Sequence, residues 1–129
     1  MKVQKSVYWR IGMELTIRLN ILRDSALLSE ENYNKILEVI KYFDEVKNIK
    51  LMEENASMFI THLSSALERI DKNETVNDLD QVVLESLKLE DSYNDAAGIV
   101  KDLKCVLGEI PDEEVNYIIM HICTLLSQS

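Results

Sequence analysis

Turn-forming residues are scarce in this chain, and their scarcity constrains the fold more than any other feature. The 129 residues include three glycines, Gly12, Gly98 and Gly108, and one proline, Pro111. Folds built from strands place glycine and proline at many tight turns. Apolar residues instead recur every three or four positions through most of the chain, which is typical of helices with one apolar face. The sequence therefore predicts an all-α fold with few connections.

Apolar stripes at this spacing mark the individual helices. Their members, in chain order, are Tyr8, Ile11, Leu15, Leu19 and Leu22; Tyr33, Ile36, Leu37, Ile40 and Phe43; Phe59, Leu63, Ala66, Leu67 and Ile70; Leu79, Val82, Val83 and Leu87; Tyr93, Ala96, Ala97, Val100, Leu103 and Leu107; and Val115, Ile118, Ile119, Ile122 and Leu126. No repeat or linker separates the stripes, and a chain of this length buries a core without a disulfide or a metal.

Residues suited to helix ends stand between the stripes. Ser29 is a good N-cap for the second helix, and Asp78 is predicted to cap the fourth. Gly108 follows the fifth stripe as a C-terminal glycine. Pro111 opens the last helix, where its missing N–H costs nothing.

These signals predict an antiparallel helical bundle joined by short loops. We expect about five helices over residues 29–129, with an N-terminal helical extension over residues 1–28.

The charge of the chain restricts the classes of partner. The 14 basic and 23 acidic residues give a net charge of -9, and an acidic chain is a poor ligand for phosphate backbones. No apolar run approaches the roughly 20 residues that span a bilayer. Cys105 and Cys123 lack metal-site or redox spacing. We therefore expect a cytoplasmic protein with reduced thiols, no direct nucleic-acid binding and no membrane insertion.

Motifs of enzymes and metal sites are not found in the sequence. There is no nucleophile elbow, glycine-rich phosphate loop or H-E-x-x-H. The positions three and four residues from His62 and His121 hold no strong metal ligand: they are Met58, Phe59, Ser65 and Ala66, and Tyr117, Ile118, Thr124 and Leu125. The sequence predicts no catalytic residue, no metal site and no cofactor.

His62 and His121 are the only histidines, and each lies on a different predicted helix. His62 shares a helix face with Arg69, seven residues later. His121 shares a face with Tyr117 and, two turns back, with Glu114. Spacing alone favours two half-buried histidines that only contribute to packing.

Two segments around these histidines resemble motifs of the PTS regulation domain (PRD) family. The first is Ile60-Thr-His62-Leu-Ser-Ser-Ala-Leu-Glu-Arg69, a histidine followed seven residues later by arginine. The second is Ile110-Pro111-Asp-Glu-Glu114-Val-Asn-Tyr117-Ile118-Ile-Met-His121-Ile, which leads from proline through glutamate and an aromatic residue to histidine. The resemblance covers about residues 30 to 127.

The resemblance implies a transcription-associated regulatory module of helical fold that acts through protein–protein interaction. It implies that His62 and His121 accept phosphoryl groups, from the phosphocarrier HPr or from EIIB components of sugar transporters, with Arg69 and Glu114 supporting the phosphate. It also implies a homodimer that requires no cofactor. The chain has one copy of the domain and no effector domain, so a stand-alone PRD is expected.

Other interpretations of these residues stay open at the level of sequence. Arg69 is alternatively a surface cation that pairs with a neighbour such as Glu68 or Asp71, and Glu114 alternatively only favours the helix start. The whole domain is alternatively a degenerate PRD that scaffolds or dimerises without phosphorylation. A small helical enzyme or metal protein is a third hypothesis. The loop after the first motif reads Asn77-Asp78, where the family often has Asn-Pro.

Overall fold

A computed structural model describes residues 14–128, which form six helices joined by loops. The chain is helical from residue 14 to residue 24 (α1), and the other helices are α2 (Glu30–Glu45), α3 (Glu53–Asp71), α4 (Gln81–Lys88), α5 (Tyr93–Leu107) and α6 (Asp112–Ser127). The predicted all-α class is therefore confirmed. Tyr8 and Ile11, placed by the sequence on the first helix, lie outside the described residues. No helix within residues 14–128 combines the length and the apolar character of a membrane span.

Most predicted helix ends are observed where the sequence places them. Ser29 caps α2, and its side-chain oxygen accepts a hydrogen bond from the backbone N–H of Asn32 at 3.1 Å. Gly108 ends α5 with a φ of 81°, a left-handed conformation that a residue without Cβ adopts at little cost. Pro111 precedes α6 as its N-cap residue.

The predicted cap of α4 is wrong by two residues. Asp80, not Asp78, is the N-cap, and its carboxylate accepts from the Val82 N–H at 3.2 Å. The Asp78 carboxylate instead accepts from the Leu79 N–H at 2.7 Å and from the side-chain amide of Asn116 in α6 at 2.9 Å. Either aspartate could cap the helix by residue type. The contact of Asp78 with α6 leaves Asp80 as the cap.

Four helices form a closed arrangement around the core. α2 contacts α3, α3 contacts α6, α6 contacts α5, and α5 contacts α2. The α2–α3 pair is antiparallel, because Asn32 near the start of α2 bonds Asp71 at the end of α3, while Phe43 near the end of α2 stacks edge-on against Phe59. The described part of the chain thus has the predicted antiparallel bundle.

The described part of α1 belongs to the same core. Leu15 and Leu19 are 2% and 0% exposed and lie in one cluster with buried residues of the other helices. Arg18 forms an ion pair with Glu53 at the start of α3. The Tyr33 hydroxyl donates to the Asn20 side chain at 2.7 Å.

The apolar stripe of α4 is only partly buried. Leu87 is 5% exposed, whereas Val82 and Val83 are 69% and 43% exposed. Val82 and Val83 thus belong to the apolar stripe that marks this helix but lie mostly outside the core. With only eight residues, α4 presents little more than two turns to the bundle, so its buried side is narrower than its apolar sequence suggests.

Leu19→Ala tests whether α1 stabilises the bundle. Removal of this fully buried side chain should lower the free energy of unfolding by about 2–5 kcal/mol, because a cavity opens in the common core. Urea unfolding followed by circular dichroism measures the loss. Leu89→Ala, at a position 84% exposed, is the control and should change it by less than about 0.5 kcal/mol. Equal effects of the two variants would contradict this view of α1.

Candidate functional site

The candidate site lies along the contact between α3 and α6. Two pairs of side chains join these helices: His62 with His121, and Arg69 with Glu114. We call these four residues the α3–α6 seam. Within each helix the two members are seven residues, about 10.5 Å, apart and lie on one face. Arg69, near the end of α3, pairs with Glu114, near the start of α6, so the two helices run antiparallel.

Arg69 and Glu114 form a two-point ion pair. The Arg69 Nε and Nη2 groups donate to the two Glu114 carboxylate oxygens at 2.8 and 2.9 Å. The Glu114 side chain is 3% exposed and that of Arg69 is 31% exposed. The hydrogen bond with Glu114 raises the pKa of Arg69 against the opposing effect of desolvation. The two-point contact thus satisfies each group where water is scarce.

The two histidine rings stack on each other. Their centroids are 4.3 Å apart, and the ring planes differ by 17°. His62 is exposed and His121 is half-buried. The His62 ring is therefore accessible from solvent, and the His121 ring is less so.

Burial keeps the His121 ring neutral. Desolvation, followed by the positive charge that His62 can carry, lowers the pKa of His121 from its ordinary 6.5 to about 4. At neutral pH the ring therefore has a nitrogen with an unprotonated lone pair. Such a nitrogen can act as a nucleophile or accept a hydrogen bond.

A cavity of about 380 Å³ connects the four seam residues. The rest of its lining is mainly apolar and aromatic, and consists of Phe59, Leu63, Ala66, Val76, Tyr117, Ile118 and Met120. Among these described lining residues, Arg69 is the only lysine or arginine. An anion in the cavity would thus find one cation, which Glu114 already neutralises.

The surface-cation interpretation of Arg69 does not describe what is observed. Glu68 accepts hydrogen bonds from the Ser29 N–H at 3.0 Å and from the Asn32 amide at 2.7 Å, and the same amide donates to Asp71 at 2.9 Å. These carboxylates therefore hold α3 to α2. Arg69 points to the other side of α3, towards α6.

Sequence reasoning placed His62, Arg69, Glu114 and His121 on two helices but did not pair them. It identified Tyr117 through its position one turn before His121 and left out the apolar lining. Within that lining, Met120 could have been found from the sequence, because it directly precedes His121. Val76 belongs to the loop after α3, and no local pattern assigns it to the cavity.

Comparison with known proteins identifies the domain. A family model described as the PRD domain matches residues 30–124, well over half of the chain. No curated protein and no solved structure matches the chain significantly. Within residues 14–128, no group of three or more His, Cys, Asp or Glu side chains could hold a metal ion.

Arg69→Met should destabilise the protein more than Glu114→Gln. The methionine keeps the apolar stem but leaves the buried Glu114 carboxylate unpaired, a loss of about 3 kcal/mol in the free energy of unfolding. Glutamine leaves Arg69 unpaired, and that guanidinium still reaches solvent. Urea unfolding measures both. Lys101→Met, an exposed position on α5, is the matched control, and a similar small loss in all three variants would refute the buried ion pair.

His121 should make the protein less stable in acid. Its folded pKa of about 4 lies below the ordinary 6.5, so between these values the unfolded chain binds a proton that the folded chain does not. Stability from this group is complete above about pH 6.5 and falls by on the order of 2 kcal/mol towards pH 4.

His121→Asn removes this contribution, while the carboxylates that titrate in the same range stay in place. The difference in the free energy of unfolding between wild type and variant, measured by urea titration at about pH 7.5 and pH 4.5, should therefore shift against the wild type in acid. A difference that does not change with pH would show that His121 titrates normally.

Proposed function

The chain belongs to the PRD family, and from this premise we propose that it is a transcription-associated regulatory module controlled by histidine phosphorylation. His62 and His121 are the proposed phosphoryl acceptors, and HPr or an EIIB component of the phosphotransferase system is the proposed donor. The module would act through contacts with another protein. The observation that carries this proposal is the stacked histidine pair, which lines one cavity together with Arg69.

The imidazole rings have the chemical properties that the proposal requires. Phosphoryl transfer to histidine begins with attack of a neutral ring nitrogen on phosphorus, and the lowered pKa of His121 keeps that ring neutral at physiological pH. His62 is exposed, which suits a donor that is itself a folded protein. Acceptor rings on two packed helices are also held more rigidly than rings on loops would be.

Arg69 supports the proposal through its place and its orientation. Two of its five N–H groups donate to Glu114, which holds the guanidinium plane against α6 and leaves further N–H groups for phosphate oxygens. Its charge would offset part of the roughly two negative charges that a phosphoryl group carries at neutral pH. In this proposal Glu114 positions Arg69 and does not itself touch phosphate.

A phosphoryl group at this place would act on the α3–α6 contact. It would add negative charge to a chain whose net charge is already -9, in the same cavity as the ion pair that joins the two helices. Competition between phosphate and Glu114 for Arg69 would weaken that ion pair. A change in the relative positions of α3 and α6 is then the local event that a partner protein would read.

The second candidate function is a scaffold or dimerisation protein that works without phosphorylation. One observation favours it: the Arg69–Glu114 pair satisfies both groups and joins α3 to α6 with no phosphate present. The seam residues would then serve the fold alone. This alternative predicts that partner binding is the same in wild type and in histidine variants.

Phosphorylation of the purified protein tests the proposal directly. After incubation with labelled phosphoenolpyruvate, enzyme I, HPr and candidate EIIB proteins, the chain should carry an acid-labile label, as phosphohistidine does. His62→Gln and His121→Gln should each remain able to accept it, because one acceptor ring is left. The double variant should take up none, since the chain has only two histidines.

Two results would decide against the proposal. Label in the double variant would place the phosphoryl group on another residue type. An unlabelled wild type with every donor, together with a partner that binds wild type and double variant equally, would support the scaffold function. Circular dichroism of the double variant shows that the loss of label is not a loss of fold.

A further inference from the structure

The stack makes the two histidines one chemical site. We propose that the pair holds one phosphoryl group per chain, so that phosphorylation of either histidine prevents phosphorylation of the other. This inference rests on the proposed function and specifies its regulation. The domain would be either unphosphorylated or singly phosphorylated, and never doubly phosphorylated. Three properties of the seam support it, namely space, charge and the geometry of the ring nitrogens.

The close approach of the two rings disfavours a second phosphoryl group. A centroid separation of 4.3 Å leaves little beyond the 3.5–4.0 Å or so of ordinary carbon–carbon contact. A phosphoryl group on a ring nitrogen is tetrahedral, so its oxygens extend above and below the plane of that ring. At this ring separation, the oxygens on the inner side enter the space of the second ring and hinder the approach of a donor to it.

Charge in the cavity opposes a second phosphoryl group. The first brings about two negative charges, and Arg69, the one lysine or arginine among the described lining residues, is shared with Glu114. The other lining side chains are mainly apolar, so they screen little. A second dianion would lie within a few ångströms of the first with no further cation between them.

Phosphorylation of His62 also makes His121 a poorer nucleophile. In the free protein, burial and the charge of His62 lower the pKa of His121 to about 4. A phosphoryl dianion on His62 replaces that repulsion with attraction and favours a protonated His121. A protonated imidazole has no lone pair with which to attack phosphorus, but it can donate a hydrogen bond to the phosphate. The second histidine thus becomes the cationic partner of the first.

Stacking also argues against direct transfer between the two rings. Such a step would form a bond from phosphorus to the second nitrogen while the first N–P bond breaks, with the three atoms nearly in line. The lone pairs lie in the ring planes, and these planes differ by only 17°, so the lone pairs do not face each other across the stack. The histidines therefore compete for a phosphoryl group and do not pass it on.

Phosphoramidate, a small phosphoryl donor, tests the inference without any protein donor. A neutral imidazole nitrogen attacks its phosphorus, the N–P bond to histidine forms, the P–N bond of the reagent breaks, and the leaving nitrogen takes up a proton to depart as ammonia. The folded wild-type chain is treated at neutral pH until uptake stops. Intact-mass spectrometry under non-acidic conditions then counts the phosphoryl groups per chain.

The expected plateau is one group for the folded wild type and one each for His62→Gln and His121→Gln. The same wild-type chain in urea, where the rings are separated, should take up two. A plateau of two on the folded chain would overturn the inference, and so would a folded chain that takes up none while the unfolded chain takes up two. Uptake of one from phosphoramidate, with none from HPr or EIIB, would overturn only the proposed function.

Discussion

The ion pair between Arg69 and Glu114 is the interaction on which the arrangement of the site depends. It joins α3 to α6 through two hydrogen bonds whose directions are set by the planar guanidinium and carboxylate groups. With Glu114 almost fully buried, packing the helices in a different register would leave its carboxylate charge unpaired in apolar surroundings, which is strongly unfavourable. The pair therefore specifies both the register and the distance of the two helices, and the histidines two turns away are brought together by that register.

The same geometry gives the two histidines different properties. Both are histidines of the same stacked pair, yet His62 is exposed whereas His121 is half-buried and has a lowered pKa. Burial penalises the charged form, and the neighbouring ring adds repulsion to that penalty. A site made from two equivalent residues thus has one accessible ring and one neutral, half-buried ring. Homodimerisation and the identity of the phosphoryl donor stay predictions, because they concern surfaces of other chains.

The prediction of the fold was accurate where local rules are strong. The cap at Ser29, the end at Gly108 and the start after Pro111 depend on backbone groups within a few residues of each side chain. It was wrong where a distant contact decided the outcome. The sequence predicted that Asp78 caps α4, but Asp80 does so. The Asp78 carboxylate instead accepts a hydrogen bond from Asn116 of α6. The apolar stripe of α4 did not show which of its members are buried, and of Leu87, Val82 and Val83 only Leu87 is.

The sequence by itself determined that the chain is helical, that it carries both PRD motifs, and that each histidine shares a helix face with one charged residue seven positions away. Helical periodicity suffices for these conclusions, because it relates residues within two turns of one helix. Only the tertiary structure decided that Arg69 pairs with Glu114, that the rings of His62 and His121 stack, and that the pKa of His121 is lowered. These properties depend on the register between two helices more than 40 residues apart in the chain, and that register is set by contacts between the helices, which periodicity within one helix does not determine.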